Sequence, residues 1–172
     1  MNKEITASYV WTVDELIKAS EHHQRDQCRK GFRAGLVFIS LMAIFSGWCS
    51  YHEQGWSLPA VLFPLVGVYI LFLRKYDIRW GIRMHFKKRP DSGAHVVWIL
   101  GEDSLQINTG ESESKMNWSQ ISKVRKAMNG FLLYSNDMMF HWLPVTALES
   151  EDDRTRAEEL LRRKIKDFAE IR

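Results

Sequence analysis

The side chains whose types could support catalysis are few and scattered. His22 and His23 stand beside Asp26 and Cys28, which together carry the donor atoms of a metal site. Adjacent histidines on a helix point about a hundred degrees apart, so only His22 and Asp26 form a one-turn pair. Two ligands are too few for a structural zinc site, and a polar juxtamembrane helix is the expectation. His95, Glu102 and His141 fall on separate segments with no spacing that converges them. His141 alternates with Phe140 and Trp142, which predicts the solvent face of a strand. Ser104 and Ser119 have no base at a recognisable spacing. Gly-x-Ser-x-Gly, the phosphate-binding loop, Cys-x-x-Cys and His-Glu-x-x-His are all missing from the 172 residues. The expectation is a protein that is not an enzyme and uses no metal or cofactor.

Binding is the other chemistry open to such a chain. Trp98, Trp118, Phe131, Tyr134, Phe140 and Trp142 could line a ligand groove, although such residues more often form the core of a small sheet. Arg74, Lys75, Arg79, Arg83, Lys87, Lys88 and Arg89 form the densest basic segment, interleaved with Tyr76, Ile78, Trp80, Ile82 and Phe86. That mixture suits the inner leaflet, with rings at the interface and cations near lipid phosphates. These seven cations are the candidate lipid-headgroup site. Membrane topology accounts for them, so no nucleic-acid partner is expected. The net charge of +3 is mild, and its placement matters more than its size.

Two apolar runs, residues 34–51 and 56–73, position everything else. Each is about eighteen residues without Asp, Glu, Lys or Arg, near the length that crosses a bilayer core of about 30 Å. Only four residues separate them, enough for a tight reversal. Arg25, Arg29, Lys30 and Arg33 precede the first run, the basic segment follows the second, and the connecting loop has neither Lys nor Arg. The positive-inside rule then puts both termini in the cytoplasm, with two spans in a bacterial inner membrane. The first run begins too far in for a cleaved signal peptide. Cys28 and Cys49 should lie far apart as unpaired thiols. Ser40, Ser46 and Gly47 would let the helices approach closely, while Gly35 and Gly47 are too widely spaced for a glycine dimer motif. Trp48, Tyr51 and Trp56 suit the headgroup level at the hairpin tip. Pro59 fits a first helical turn, and Pro64 should kink the second span.

Around the hairpin the chain reads as α+β. Residues 4–11 look like a strand, and Thr12 and Glu15 form a capping box that starts a helix polar on nearly every face, hence solvated or at headgroup level and able to run on into the first span. Pro90-Asp91-Ser92-Gly93 breaks the basic helix. Period-two patterning then gives strands at 95–100, 104–108 and 112–118, with turns at 101–103 and 109–111. Asn129-Gly130 and residues 135–137 mark further hairpins of an antiparallel meander. Ser150 caps a last helix whose stripe is Ala157, Leu160, Leu161, Ile165, Phe168 and Ile171. The segments are thus residues 1–33 (strand and juxtamembrane helix), 34–73 (hairpin), 74–91 (second juxtamembrane helix) and 92–172 (sheet domain). If the first strand joins the later sheet, the membrane part is an insertion within one domain.

The pattern resembles the YcxB-like family of bacterial membrane proteins. The resemblance rests on residues 9–15, the two spans, residues 103–107, and Trp118-Ser119-Gln120-Ile121-Ser122-Lys123-Val124 leading into Phe131-Leu132-Leu133-Tyr134. Leu143-Pro144 stands at the family's turn before its closing helix. It implies a pleckstrin-homology-like sheet domain closed by a C-terminal helix, and no established activity. Two functions follow as expectations. One is a membrane-anchored module that binds a protein partner or lipid headgroups at the phospholipid bilayer. The alternative is an immunity protein that neutralises a toxin. Homo-oligomers are compatible with either, and transport is disfavoured by spans without buried charge.

Overall fold

The computed structural model describes residues 4–27, 30–110 and 112–171. Cys28, Arg29 and Glu111, expected at the membrane approach and in a turn, lie outside the described residues. The chain divides into two compact units, Met1–Asp26 with Phe86–Arg172, and Gln27–His85.

In the first unit, β1 (Ile5–Val10) leads into α1 (Val13–Gln27). In the second, α2 (Lys30–Gln54) turns at Gly55, whose φ of 66° is the left-handed conformation that favours glycine. The chain returns through α3 (Leu58–Val68), a π turn (Tyr69–Leu73) and α4 (Arg74–Phe86). Both helical arms are long and apolar enough to cross a membrane. They pack where side chains are absent. A Cβ on Gly47 would clash with the Pro64 ring, and one on Gly67 would lie 2.7 Å from the Ser40 carbonyl oxygen. Ser40 is fully buried and donates to the Leu36 carbonyl at 2.7 Å, so its hydroxyl is satisfied inside its own helix. Phe38, Phe45 and Leu65 each expose more than half their surface, an apolar exterior suited to lipid.

Back in the first unit, β2 (His95–Leu100), β3 (Ser104–Thr109) and β4 (Ser112–Asn117) follow the break at residues 87–94. β5 (Lys123–Ala127), β6 (Gly130–Tyr134), β7 (Phe140–Pro144), α5 (Glu151–Lys164) and β8 (Phe168–Glu170) complete the chain. The strands form two four-stranded sheets, ordered β1-β2-β3-β4 and β7-β6-β5-β8. β1 pairs antiparallel with β2, Ile5 opposite Leu100, so residues from before and after the hairpin share one sheet. Ala7, Trp98, Leu105, Val124, Phe131 and Leu133 fill the core between the sheets, and Ala157, Leu160 and Leu161 of α5 seal it. Every residue of β6 is buried, because the second sheet is covered on both faces: Leu132 and Tyr134 meet Ala19 of α1 on the reverse side.

Several local expectations are corrected. The chain reverses at Met128-Asn129, with Gly130 already paired to Pro144, and Gly130 has no positive φ. Its missing side chain makes room for a ring instead: a Cβ there would lie 2.6 Å from Trp142 Cη2 and 2.5 Å from the Leu143 carbonyl oxygen. The last helix ends at Lys164, so Phe168 and Ile171 are not on its stripe. β8 instead pairs parallel with the open edge of β5, and the Arg162 guanidinium sits 4.2 Å over the Phe168 ring. The capping box is half made. The Glu15 amide reaches Thr12 Oγ1 at 3.4 Å, but the Glu15 carboxylate binds Trp142 and Lys18.

Gly130→Ala is expected to destabilise the domain by about 1–3 kcal/mol through overpacking against Trp142. Thermal unfolding of the full chain in mild detergent checks it; an unchanged midpoint would show that the ring yields freely.

Candidate functional site

The seven basic residues do not form one cluster. Lys75, Arg79 and Arg83 recur every fourth residue along α4, and all three are exposed. Tyr76, Trp80 and Met84 form the adjoining stripe, 57%, 66% and 44% exposed. The Lys75 ammonium lies 4.9 Å from the centre of the Tyr76 ring. A cationic row beside an aromatic row is how an interfacial helix presents charge to phosphates and rings to the acyl boundary. Arg74 is offset around the helix, and Lys87 and Lys88 are exposed beyond its end. Arg89 binds Asp91 with two hydrogen bonds, 2.8 and 2.7 Å long.

The aromatic set splits three ways. Trp118 and Phe131 are core residues, and the Trp118 indole donates to the Gly101 carbonyl at 3.1 Å. Trp98, Phe140 and Trp142 line a cleft of about 260 Å³, together with Tyr9, Trp11 and His141. His141 therefore faces the space between the sheets, not solvent; its ring meets Trp98 edge-on, with centroids 6.4 Å apart, and burial lowers its pKa. Arg89 and Asp91 stand in the wall of the same cleft. The Tyr9 hydroxyl donates to the Trp142 carbonyl at 2.7 Å, and burial pushes its pKa far up.

Tyr134 and the other faces of Phe140 and Trp142 belong to a seam under α1. The His22 ring stacks on Trp142 with centroids 5.8 Å apart, and the His23 ring stacks on Phe140 at 4.7 Å. His23 Nδ1 lies 3.0 Å from the Tyr134 hydroxyl. At the end of α1, Asp26 accepts from Arg125 Nε at 2.9 Å, while the other guanidinium nitrogens of Arg125 bind Asp167 at 2.8 and 3.1 Å. The Arg125 bonds hold the Asp167 carboxyl below its ordinary range. The helix expected to be solvated or at headgroup level is thus docked on the sheet through its polar residues. Among the described residues no group of three or more His, Cys, Asp or Glu could hold a metal ion.

Residues 100–161 match the family model described as YcxB-like protein. The match runs from the end of β2 into α5 and includes the Trp118-to-Tyr134 stretch that carried the resemblance; residues 9–15 and the two spans lie outside it. No curated protein and no solved structure gives a match.

Burial lowers the pKa of both His22 and His23 from 6.5; Arg25 adds to the effect at His22, and at His23 Asp26 opposes it. A histidine held below its unfolded value takes up its proton more readily when unfolded. The seam therefore has its full stability above pH 6.5 and loses it as the pH falls below that value. Melting temperature is expected to drop between about pH 7 and about pH 5.5, and to drop less in His22→Phe/His23→Phe. Parallel profiles for the two proteins would exclude these rings as the source.

Proposed function

We propose that this chain is an interaction module without catalytic activity, anchored in the bacterial inner membrane with both termini cytoplasmic. Its α4 segment engages anionic lipid headgroups, and its sheet domain presents a binding surface to a protein partner at the inner leaflet. The observation that carries the lipid contact is the pairing of two stripes on α4, Lys75-Arg79-Arg83 beside Tyr76-Trp80-Met84, both solvent-exposed. Each cation near an anionic leaflet contributes about 1 kcal/mol, so three in a row hold a helix against the headgroups. The positive flanks of both apolar arms support the orientation. Two four-stranded sheets closed by a helix support the pleckstrin-like expectation. No described residue favours toxin neutralisation over this reading.

Native mass spectrometry of the full chain released from mild detergent tests the lipid contact. The wild type is expected to retain phosphatidylglycerol over phosphatidylcholine, and Lys75→Glu/Arg79→Glu/Arg83→Glu to lose the preference. Equal retention of both lipids by the wild type would contradict the reading.

A further inference from the structure

β4 is an edge strand of the first sheet, and its free side is unusually well defined. Antiparallel partners alternate between pairs that exchange backbone hydrogen bonds and pairs that do not. The Gly101 amide on the Ser104 carbonyl and the Gly110 amide on the His95 carbonyl fix that phase for β2 and β3. Residues 104, 106 and 108 thus bond to β2, and Leu105, Ile107 and Thr109 bond to Met116, Ser114 and Ser112 of β4. The backbone groups of Glu113, Lys115 and Asn117 therefore point away from the sheet. The Asn117 amide is already taken by the Gln120 side chain at 3.0 Å. That leaves Glu113 and Lys115 with open backbone donors and acceptors.

Their side chains share one face and oppose Asn108 and Gln106 within the sheet, so neither meets a charge across the strand pair. Both are exposed, and neither has an ion-pair partner among the described residues. A strand carrying Glu-x-Lys is complementary to itself when run antiparallel. About a twofold axis through Ser114, Glu113 lies opposite Lys115 of a second copy, and Lys115 opposite Glu113.

We propose that β4 pairs antiparallel with β4 of a second copy of this chain, centred on Ser114. Four backbone N–H···O bonds and two Glu113–Lys115 ion pairs form, and the two four-stranded sheets become one of eight. The interface is isologous, as a closed dimer requires. It is small, and anchoring in a shared membrane compensates by raising the local concentration of partners. The open alternative is that these charges merely block edge pairing, the usual role of lysine on an exposed strand.

Charge reversal separates the two. The full chain in lipid nanodiscs or mild detergent is expected to be dimeric. Glu113→Lys and Lys115→Glu each set like charges opposite one another twice and lower dimer affinity about tenfold or more. The double variant Glu113→Lys/Lys115→Glu restores the pairing and the dimer. In a background with Cys28→Ser and Cys49→Ser, Ser114→Cys places two thiols across a close pair, with Cα atoms about 4.5 Å apart and within disulfide reach. Asn117→Cys does not, since its copies lie several residues out of register. Rapid oxidative cross-linking of Ser114→Cys alone supports the proposal. A monomeric wild type, a double reversal that stays monomeric while its melting temperature is unchanged, or equal cross-linking at 114 and 117 would overturn it.

Discussion

The structure depends on how the Trp142 indole is held. Its N–H donates to Glu15 at 2.8 Å, its backbone carbonyl accepts from Tyr9, and its ring stacks on His22. Glu15, Tyr9 and His22 precede the apolar hairpin in sequence, and Trp142 follows it. Trp142 is 3% exposed, and its bond to a charged acceptor is of the stronger kind. Gly130 is the complement to this arrangement, a position without a side chain where the Trp142 ring takes up the space. One residue thus joins the N-terminal strand, through its carbonyl, and the first helix, through its indole, to a sheet formed more than a hundred residues later.

Two further links share that work. β1 joins the first sheet edge to edge with β2, so the hairpin leaves and re-enters a single folded unit. At the far end of α1, Arg125 links Asp26 to Asp167 and so ties the N-terminal helix to the C-terminal tail. The combination of stacked histidines, a buried indole bond and a bidentate arginine replaces the apolar stripe that α1 lacks. Ile17 and Ala19 are the buried apolar residues of that helix.

This explains which parts of the protein were legible in its sequence. The apolar runs, the strands from residue 95 to 117 and the start of the last helix each declare themselves locally, by charge-free length, by alternation or by a capping serine. The docking of α1 does not. His22, His23 and Asp26 read as solvated because their respective partners, Trp142, Phe140 and Arg125, lie more than ninety residues away. Gly130 reads as turn chemistry because nothing local reveals the ring beside it. Phe168 and Ile171 fit a helical spacing, but Phe168 opens β8 and Ile171 follows it, its amide on the Lys126 carbonyl, along an edge specified by β5 and by Asp167. The basic segment was legible as a set of residues; its sorting into a cationic and an aromatic stripe follows from the continuous helix of α4.

The central claim is that Trp142 docks the pre-hairpin helix onto the post-hairpin sheet. Hydrogen–deuterium exchange on the full chain and on Trp142→Phe tests it most directly. Loss of a hydrogen bond to a charged group is expected to speed amide exchange across residues 16–26 by about tenfold or more. Exchange in β2 and β3 should be unchanged. Equal protection of α1 in the two proteins would contradict the claim.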